Sequence, residues 1–210
     1  MFDDLLHLGA ATLGESGGQP MAPRMRAVWP GAAVAAPAFA VVCAAGDNLG
    51  IHAAVAEAPA GSVLCVEVEG QQELGWWGEV LTTGAQARGL AGLVIDACVR
   101  DVDALERLQF PVFSVGIALP GAQKKGPGRI GGDATVGDVV VHTGDVVVAD
   151  RDGVVVIAAA SLDAVHSAGA GRAAKEIEYF AQLRAGSTTV DLLSLDTTSI
   201  TRAQPGNSHA

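Results

Sequence analysis

Three short apolar segments in the first half of the chain constrain its fold most strongly. Residues 62–68, 91–97 and 110–115 read SVLCVEV, AGLVIDA and FPVFSV, and helix-like sequence separates them at 78–88 and 101–108. Continuous apolar runs of this length are typical of strands buried on both faces. Strands that alternate with helices predict parallel pairing through crossover connections. We therefore expect an α/β fold with a parallel βαβ core.

The flanking segments predict the remaining elements of this core. A further strand is expected at 35–44, followed by a helix at 48–58, and an N-terminal helix is expected at 2–13. Residues 14–31 and 119–135 are rich in glycine and proline or irregular, so we expect loops there. From length and composition, we expect one domain over residues 1–197 and a polar C-terminal tail at 198–210.

The second half of the chain changes character. Short strands are predicted at 139–142, 145–149 and 154–158, separated by the turn sequences HTGD and DRDG. This spacing is typical of antiparallel hairpins, so we expect an antiparallel meander here. A helix is predicted at 161–183, with Ser161 as its N-cap.

Charge and cysteine content narrow the functional class. The formal net charge of −10 argues against non-specific nucleic-acid binding and against an anionic membrane surface as partner. The acidic N-terminal sequence MFDDLLHLGA lacks the pattern of a signal peptide, and no apolar run is long enough to cross a bilayer. Cys43, Cys65 and Cys98 are widely spaced, which does not suggest a disulfide framework. We expect a cytoplasmic protein.

A candidate site follows two of the predicted strands. Arg100 and Asp101 come after the strand at 91–97, and Gly78 opens the helix that follows the strand at 62–68. In parallel sheets, ligands bind beyond the carboxyl ends of strands. The N–H groups of residues 78–81 could bind a carboxylate, Arg100 an anion or enolate, and Asp101 a hard metal ion. Glu79 could orient a water for proton transfer.

Simpler interpretations of the same residues remain open on spacing alone. An Arg–Asp pair at a helix start is often a cap with a surface ion pair, worth about 0–1 kcal/mol. A glutamate in a first helical turn is common for dipole reasons. The GPGRIG sequence at 126–131 matches a dinucleotide fingerprint literally, but it lacks the strand–turn–helix context. Trp76 and Trp77 could line a pocket or pack at a subunit contact.

Several longer segments together resemble the RraA-like family. They are DNLGIHAAV (47–55), PAGSVLCVEVEG (59–70), GWWGEVLTTGAQARGLAGLVIDACVRD (75–101), FPVFSVG (110–116) and TGDVVVADRDGVVVI (143–157). That family comprises regulators of RNase E activity and class II 4-hydroxy-4-methyl-2-oxoglutarate aldolases. The resemblance covers roughly residues 30–190. It implies a swivelling β/β/α-type sandwich that assembles as a homotrimer or homohexamer, with a site between subunits.

The resemblance also implies roles for individual residues. Asp101 is the expected Mg²⁺ or Mn²⁺ ligand, and Arg100 is expected to contact pyruvate oxygens and stabilise the enolate. The backbone of Gly78, Glu79, Val80 and Leu81 would hold the pyruvate carboxylate, and Glu79 would position the catalytic water. Glu176 is expected to reach the metal waters of a neighbouring subunit.

Two positions depart from the family pattern. An acid is common three positions after the metal-binding aspartate, where this chain has Ala104, with Asp103 one position earlier. A glycine that is usual before the arginine is replaced by Ala97. The alanine at 104 removes one potential contributor to the metal's surroundings.

Two hypotheses of different classes follow. The first is a divalent-metal-dependent aldolase that cleaves a 4-hydroxy-2-oxo acid to pyruvate. Oxaloacetate decarboxylation, which passes through the same enolate, is a possible side activity. The alternative is a non-catalytic regulator that binds RNase E or a related protein. Retention of Asp101 favours the aldolase, because regulators in the family often lack that acid.

Overall fold

The computed structural model describes residues 1–202, and the predicted tail residues 203–210 lie outside the described residues. The chain divides into two compact units, Met1–Ala170 and a second that starts at Gly171. The expectation of one domain through residue 197 stays a prediction. Within the described residues, no helix is both long and apolar enough to cross a membrane.

Residues 1–202 form six α-helices and thirteen strands, with one short 3₁₀ turn at Ala159–Ser161. The helices are α1 (Phe2–Gly14), α2 (Leu49–Glu57), α3 (Glu79–Ala87), α4 (Val102–Arg107), α5 (Leu162–Arg184) and α6 (Thr189–Leu192). The strands are β1 (Gln19–Pro20), β2 (Arg26–Ala27), β3 (Val34–Cys43), β4 (Val63–Val68), β5 (Gly92–Ile95), β6 (Cys98–Val99), β7 (Val112–Ser114), β8 (Gly116–Ile117), β9 (Gly128–Ile130), β10 (Asp133–Val136), β11 (Val139–His142), β12 (Val146–Ala149) and β13 (Val154–Ile157).

The predicted parallel core is confirmed. One nine-stranded mixed sheet runs in the order β1-β13-β12-β3-β4-β5-β7-β2, and β9 pairs with β3 beside this path. The pairs β3–β4, β4–β5 and β5–β7 are parallel, with α2, α3 and α4 in the connections. Since β4 and β5 are neighbours, the loops that follow them leave the same edge of the sheet.

The ten-residue strand β3 joins the parallel and antiparallel parts of the sheet. Its first part pairs antiparallel with β12, up to the partners Pro37 and Val146. From Ala38 onward it pairs in parallel with β4. This division produces the mixed α/β sheet that the sequence predicts, with its hydrophobic core built mainly from alanine, valine and leucine.

One predicted hairpin is wrong. The strand at 139–142 does not pair with the strand at 145–149; β11 pairs with β10, whereas β12 pairs with β13 and β3. The β10–β11 hairpin turns at Gly137 and Asp138, which both have positive φ, at 54° and 65°. Two consecutive positive φ values are typical of the tight type I′ turn.

The expected loops at 14–31 and 119–135 are also partly wrong. They contain β1 and β2 in the first case, and β9 and the start of β10 in the second. β10 pairs with the adjacent β11, whereas β1, β2 and β9 are two or three residues long and pair with strands distant in sequence. Because their order comes from tertiary pairing, no local periodicity marks them.

A second, smaller hydrophobic cluster lies on α1 within the first unit. Leu5 and Leu13 are fully buried there against Val148, Ile157 and Val165. The predicted N-terminal helix is therefore confirmed, and it covers the antiparallel end of the sheet.

Candidate functional site

The structure places Arg100 and Asp101 between β6 and α4. Asp101 has φ 58° and ψ 40°, in the left-handed region that few residues other than glycine adopt. Its side chain makes no capping hydrogen bond to α4. A strained aspartate whose carboxylate is not used by its own helix is a functional candidate.

Asp101 instead binds the start of α3. Its Oδ2 atom accepts a hydrogen bond from the backbone N–H of Glu79 at 3.0 Å. Of the donors expected at 78–81, that of Glu79 is therefore occupied by a side chain of the protein. Val80 and Leu81, which follow in the first turn, have no earlier carbonyl within α3 to bind, so they are the donors that suit an anion.

Glycines bring the backbone of the 75–78 loop close to these two side chains. A Cβ atom on Gly78 would collide with Oδ2 of Asp101, and one on Gly75 would lie 2.9 Å from Cδ of Arg100. A Cβ on Gly121 would lie 3.5 Å from a terminal nitrogen of Arg100. The glycines thus give Arg100 and Asp101 space that any other residue would reduce.

The backbone of Arg100 is held by a hydrogen bond, whereas the Nε atom of its guanidinium has no hydrogen-bond partner among the described residues. Its N–H donates to the carbonyl of Trp77 at 2.9 Å. Its Nε atom is buried, has no hydrogen-bond partner within residues 1–202, and lies 3.7 Å from Oδ2 of Asp101. That separation is too long for a hydrogen bond. An unsatisfied buried donor of this kind suits a bound anion.

The side chain of Glu79 lies in a different environment from the one expected. Its Oε1 atom accepts a charge-assisted hydrogen bond from Arg107 at 2.7 Å, and both side chains are about half exposed. Glu79 lines a hollow beside α4 that also includes Ala104 and Asp101. Asp101 therefore borders two hollows, and Glu79 faces the outer one.

The inner hollow, here called the site cavity, has a volume of about 160 Å³. It contains the predicted residues Gly78, Val80, Leu81, Arg100 and Asp101. The complete lining is Asn48, His52, Gly75, Trp76, Trp77, Gly78, Val80, Leu81, Arg100, Asp101, Gly121, Ala122 and Lys124. At about 30 Å³ per water molecule, this space suits a small organic acid.

Sequence reasoning missed three polar residues of this cavity, Asn48, His52 and Lys124. Asn48 and His52 lie four positions apart at the start of α2, which places them on one helical face. The sequence DNLGIH contains both, but it fits an ordinary amphipathic helix start equally well. Burial is the first cause of a lowered pKa for His52, and the Lys124 ammonium lowers it further.

Trp76 and Trp77, for which a pocket lining and a subunit contact were both open, are core residues. They are 0% and 1% exposed. The Trp77 indole N–H donates to Oγ1 of Thr82 at 2.6 Å, and its ring stacks on Phe110 at 5.9 Å. Both residues also line the site cavity, which agrees with the alternative interpretation.

The donor set limits the kind of metal the site could hold. In the part of the chain that the structure describes, no group of three or more His, Cys, Asp or Glu residues could hold a metal ion. Among the described residues that line the site cavity, Asp101 is the one carboxylate. The residues fit Mg²⁺ or Mn²⁺ held by one carboxylate with several waters retained, rather than a metal that needs a closed protein cage.

Glu176, the second predicted metal ligand, belongs to α5 in the second unit. There its Oε1 atom pairs with Nε of Arg172 at 2.9 Å. Its role toward a metal stays a prediction. The three cysteines are buried and unpaired by disulfides, as expected.

The family is decided by a comparison with known proteins. The family model RraA-like, described as Aldolase/RraA, matches residues 7–156. The chain belongs to the RraA-like family. The match covers both the parallel core and the site cavity.

One relative comes from Halalkalibacterium halodurans and carries the name "Putative 4-hydroxy-4-methyl-2-oxoglutarate aldolase". It is 36% identical over 124 residues, which are 59% of this chain and 59% of that protein. The match thus spans about three fifths of this relative's length.

Solved structures share the fold. An uncharacterised protein from Pseudomonas syringae pv. tomato superimposes with a TM-score of 0.79 at 24% identity, over 89% of each chain. The RNA-processing inhibitor RraA from Thermus thermophilus gives a TM-score of 0.64 at 23% identity, over 70% of this chain and 90% of that one. At these identities the likeness establishes the RraA-like fold alone.

Proposed function

We propose that this RraA-like protein is a divalent-metal-dependent lyase that cleaves a 4-hydroxy-2-oxo acid to pyruvate. The observation that carries the proposal is the meeting of three features in one cavity of about 160 Å³. These features are the Arg100 guanidinium, the Asp101 carboxylate and the N-terminus of α3. The name of the Halalkalibacterium halodurans relative agrees with this chemistry.

The residues of the cavity divide the binding of a 2-oxo acid between them. The first-turn N–H groups of Val80 and Leu81 bind the carboxylate, and Arg100 binds oxygens of the same end. Asp101 would hold Mg²⁺ or Mn²⁺ through its carboxylate group. When bound, such a cation polarises the 2-oxo group as a Lewis acid.

Arg100 contributes most as the carbon–carbon bond breaks. The 4-hydroxyl gives its proton to the water that Glu79 positions, the C3–C4 bond cleaves, and C4 leaves as a carbonyl group. The electron pair of the broken bond passes into the pyruvate enolate, which takes a proton back from that water at C3 to give pyruvate. Arg100, already desolvated at Nε, stabilises this developing negative charge. In the proposal Glu79 positions a water from the outer hollow, with its carboxylate oriented by Arg107. Oxaloacetate decarboxylation would use the same stabilisation.

We also propose that the subunits assemble. A homotrimer or homohexamer would allow Glu176 of one subunit to bind waters of the metal in another. Size-exclusion chromatography with light scattering gives the oligomeric state. A monomeric protein with full lyase activity would contradict this role for Glu176.

A coupled pyruvate assay with Mg²⁺ or Mn²⁺ tests the lyase directly, with 4-hydroxy-4-methyl-2-oxoglutarate as substrate. We expect Arg100→Ala and Asp101→Asn each to lower kcat/KM by at least about 100-fold, the scale for removing one preorganised group that stabilises charge. Asn tolerates the left-handed backbone of position 101, so the fold should persist. Arg151→Ala, at an exposed turn, is the matched control and should retain activity.

The same assay separates the lyase from the regulator. A protein that yields no pyruvate with either metal, and that co-purifies with a ribonuclease, would favour the regulatory alternative. Unchanged turnover in Arg100→Ala would also contradict the lyase.

A further inference from the structure

Asp96 is a buried carboxylate on the segment that leads from β5 to Arg100. Its backbone N–H donates to the carbonyl of Val66 in β4 at 3.1 Å. The residue is only 7% exposed, and it does not line the site cavity. Burial of a carboxylate is costly unless the group is paired and hydrogen-bonded, so the partners of Asp96 indicate what it supports.

Four hydrogen-bond donors converge on this carboxylate. Nε and a terminal nitrogen of Arg24 donate to its two oxygens, at 3.0 and 2.7 Å. The N–H of Gly137 donates at 3.0 Å, and the side-chain amide of Gln72 donates more weakly at 3.4 Å. Paired bonds between an arginine and a carboxylate fix orientation and also balance charge. Arg24 is the cation among these donors, so the buried charge of Asp96 depends on it.

The segment after this carboxylate is joined to the loop before α3 by three backbone hydrogen bonds. The N–H of Cys98 donates to the carbonyl of Gln72 at 2.8 Å, and the carbonyl of Cys98 accepts from the N–H of Trp76 at 3.1 Å. The N–H of Arg100 donates to the carbonyl of Trp77 at 2.9 Å. Gln72 thus bonds this segment through its carbonyl and the carboxylate through its amide. These bonds set how far Arg100 lies from the first turn of α3.

Arg24 comes from the segment that connects the two edges of the nine-stranded sheet. β1 pairs at one edge and β2 at the other, and residues 21–25 run between them. Met21 and Met25 of this segment are buried, whereas the Arg24 side chain is partly exposed. Its two terminal nitrogens also donate to the exposed Asp138, at 2.9 and 2.8 Å. The buried and the exposed partners of Arg24 can therefore be removed separately.

We infer that Arg24 and Asp96 are positioning residues, whose ion pair holds Arg100 in register with the N-terminus of α3. This inference rests on the proposed function, in which Arg100 and the first-turn N–H groups of α3 bind the same end of the substrate. It adds a requirement outside the site cavity, whose lining includes neither Arg24 nor Asp96. Without Arg24, the buried carboxylate loses its counter-charge and draws in water, so the two loops are no longer held together.

Hydrogen exchange measured by NMR tests the positioning on the intact protein, without substrate or added metal. In Arg24→Met, the amides of Trp76, Cys98 and Arg100 should exchange at least about tenfold faster than in the wild type, because a lost charged hydrogen bond favours local opening. Their acceleration should exceed that of the amides in the central strand β4, which report global unfolding. A merely structural role would accelerate both sets equally.

Two further variants assign the effect to the buried pair. Arg24→Lys keeps the charge but loses the planar fork, so exchange at the same amides should lie between that of the wild type and that of Arg24→Met. Asp138→Asn removes only the exposed partner and is the matched control. It should leave exchange at these amides unchanged.

Pyruvate release provides the functional readout, at a temperature well below the melting temperature of each variant. Because Arg100 is misplaced and not removed, kcat in Arg24→Met should fall at least about tenfold, and by more than KM rises. Arg24→Lys should recover part of kcat. Asp138→Asn should keep the wild-type value.

The outcomes separate this inference from the proposed function. Equal acceleration in β4 and at the site amides, unchanged exchange in Arg24→Met, or a wild-type kcat in that variant would overturn the positioning role. If Arg24→Met does not fold, Arg24→Lys decides by the same comparison. The lyase would survive each of these results if Arg100→Ala still lost activity. If the wild type released no pyruvate, the lyase would fail, and hydrogen exchange would still show whether the pair holds the two loops together.

Discussion

At the scale of single residues, the site depends on glycines, which have no side chain, as much as on the charged residues beside them. Gly75 and Gly78 make room for Arg100 and Asp101, and their replacement would place carbon atoms against those side chains. The sequence predicted Gly78, Arg100 and Asp101, since they follow recognisable strands. It could not predict Asn48 and His52, because a polar residue at a helix start has many ordinary explanations.

The glycine at position 78 gives a sharp test at this scale. Gly78→Ala puts a methyl group against Oδ2 of Asp101, so the carboxylate must move. We expect kcat/KM for pyruvate release to fall at least about tenfold, as small misplacements of reacting groups lower rates strongly. The melting temperature should change little, since the side chain of Asp101 is partly exposed and has room to move.

Gly171→Ala is its matched control. A Cβ there meets nothing within 4 Å, and the residue lies inside α5. Alanine favours a helix by roughly 1 kcal/mol over glycine, so activity should persist with equal or higher stability. Equal activity in Gly78→Ala and the wild type would contradict the packing described at the site.

At the scale of elements, the orientation of α3 decides where the anion-binding N–H groups lie. The indole of Trp77, directly before the helix, donates to Oγ1 of Thr82 within its first turns. Phe110, which precedes β7, stacks on the same indole. The sequence predicted α3 from its pattern, whereas the buried hydrogen bond that holds it could be seen only in the structure.

Thr82→Val tests this bond. Valine has nearly the shape of threonine but leaves the buried indole N–H without its acceptor, which costs about 1–3 kcal/mol. We expect the free energy of unfolding, measured by urea denaturation, to fall by that amount. Thr83→Val is the matched control, because Thr83 is exposed and its hydroxyl bonds only the Glu79 carbonyl. Equal effects of the two substitutions would contradict the proposed support of α3.

At the scale of the whole molecule, Arg24 joins segments that are distant in sequence. It donates to both carboxylate oxygens of Asp96, at 3.0 and 2.7 Å, and to Asp138 at the β10–β11 turn. Asp96 also accepts from the N–H of Gly137 at 3.0 Å. The sequence predicted the parallel core because each of its strands is marked by its own continuous apolar run. It paired the strand at 139–142 with the wrong neighbour and missed β9 and β10, because β9 pairs with the distant β3 and the β10–β11 turn is held at Asp138 by Arg24.

The Arg24 contact predicts a pH dependence. A side-chain hydrogen bond from Arg24 lowers the pKa of Asp138 below its usual 3.8. The resulting stabilisation is present above pH 3.8 and is lost as the pH falls through the lowered value. We expect the unfolding free energy of the wild type to fall more between pH 5 and pH 3 than that of Asp138→Asn. Exposed Asp152, changed to Asn, is the control and should follow the wild type.

In the proposed lyase, Asp101 and Arg100 together support metal-dependent cleavage of a 4-hydroxy-2-oxo acid. Its most direct test is pyruvate release from 4-hydroxy-4-methyl-2-oxoglutarate before chelation, after EDTA treatment and dialysis, and after addition of Mg²⁺ or Mn²⁺. We expect activity to disappear on chelation and to return with either metal in the wild type, but not in Asp101→Asn. Activity that survives chelation, or that returns equally in Asp101→Asn, would contradict it.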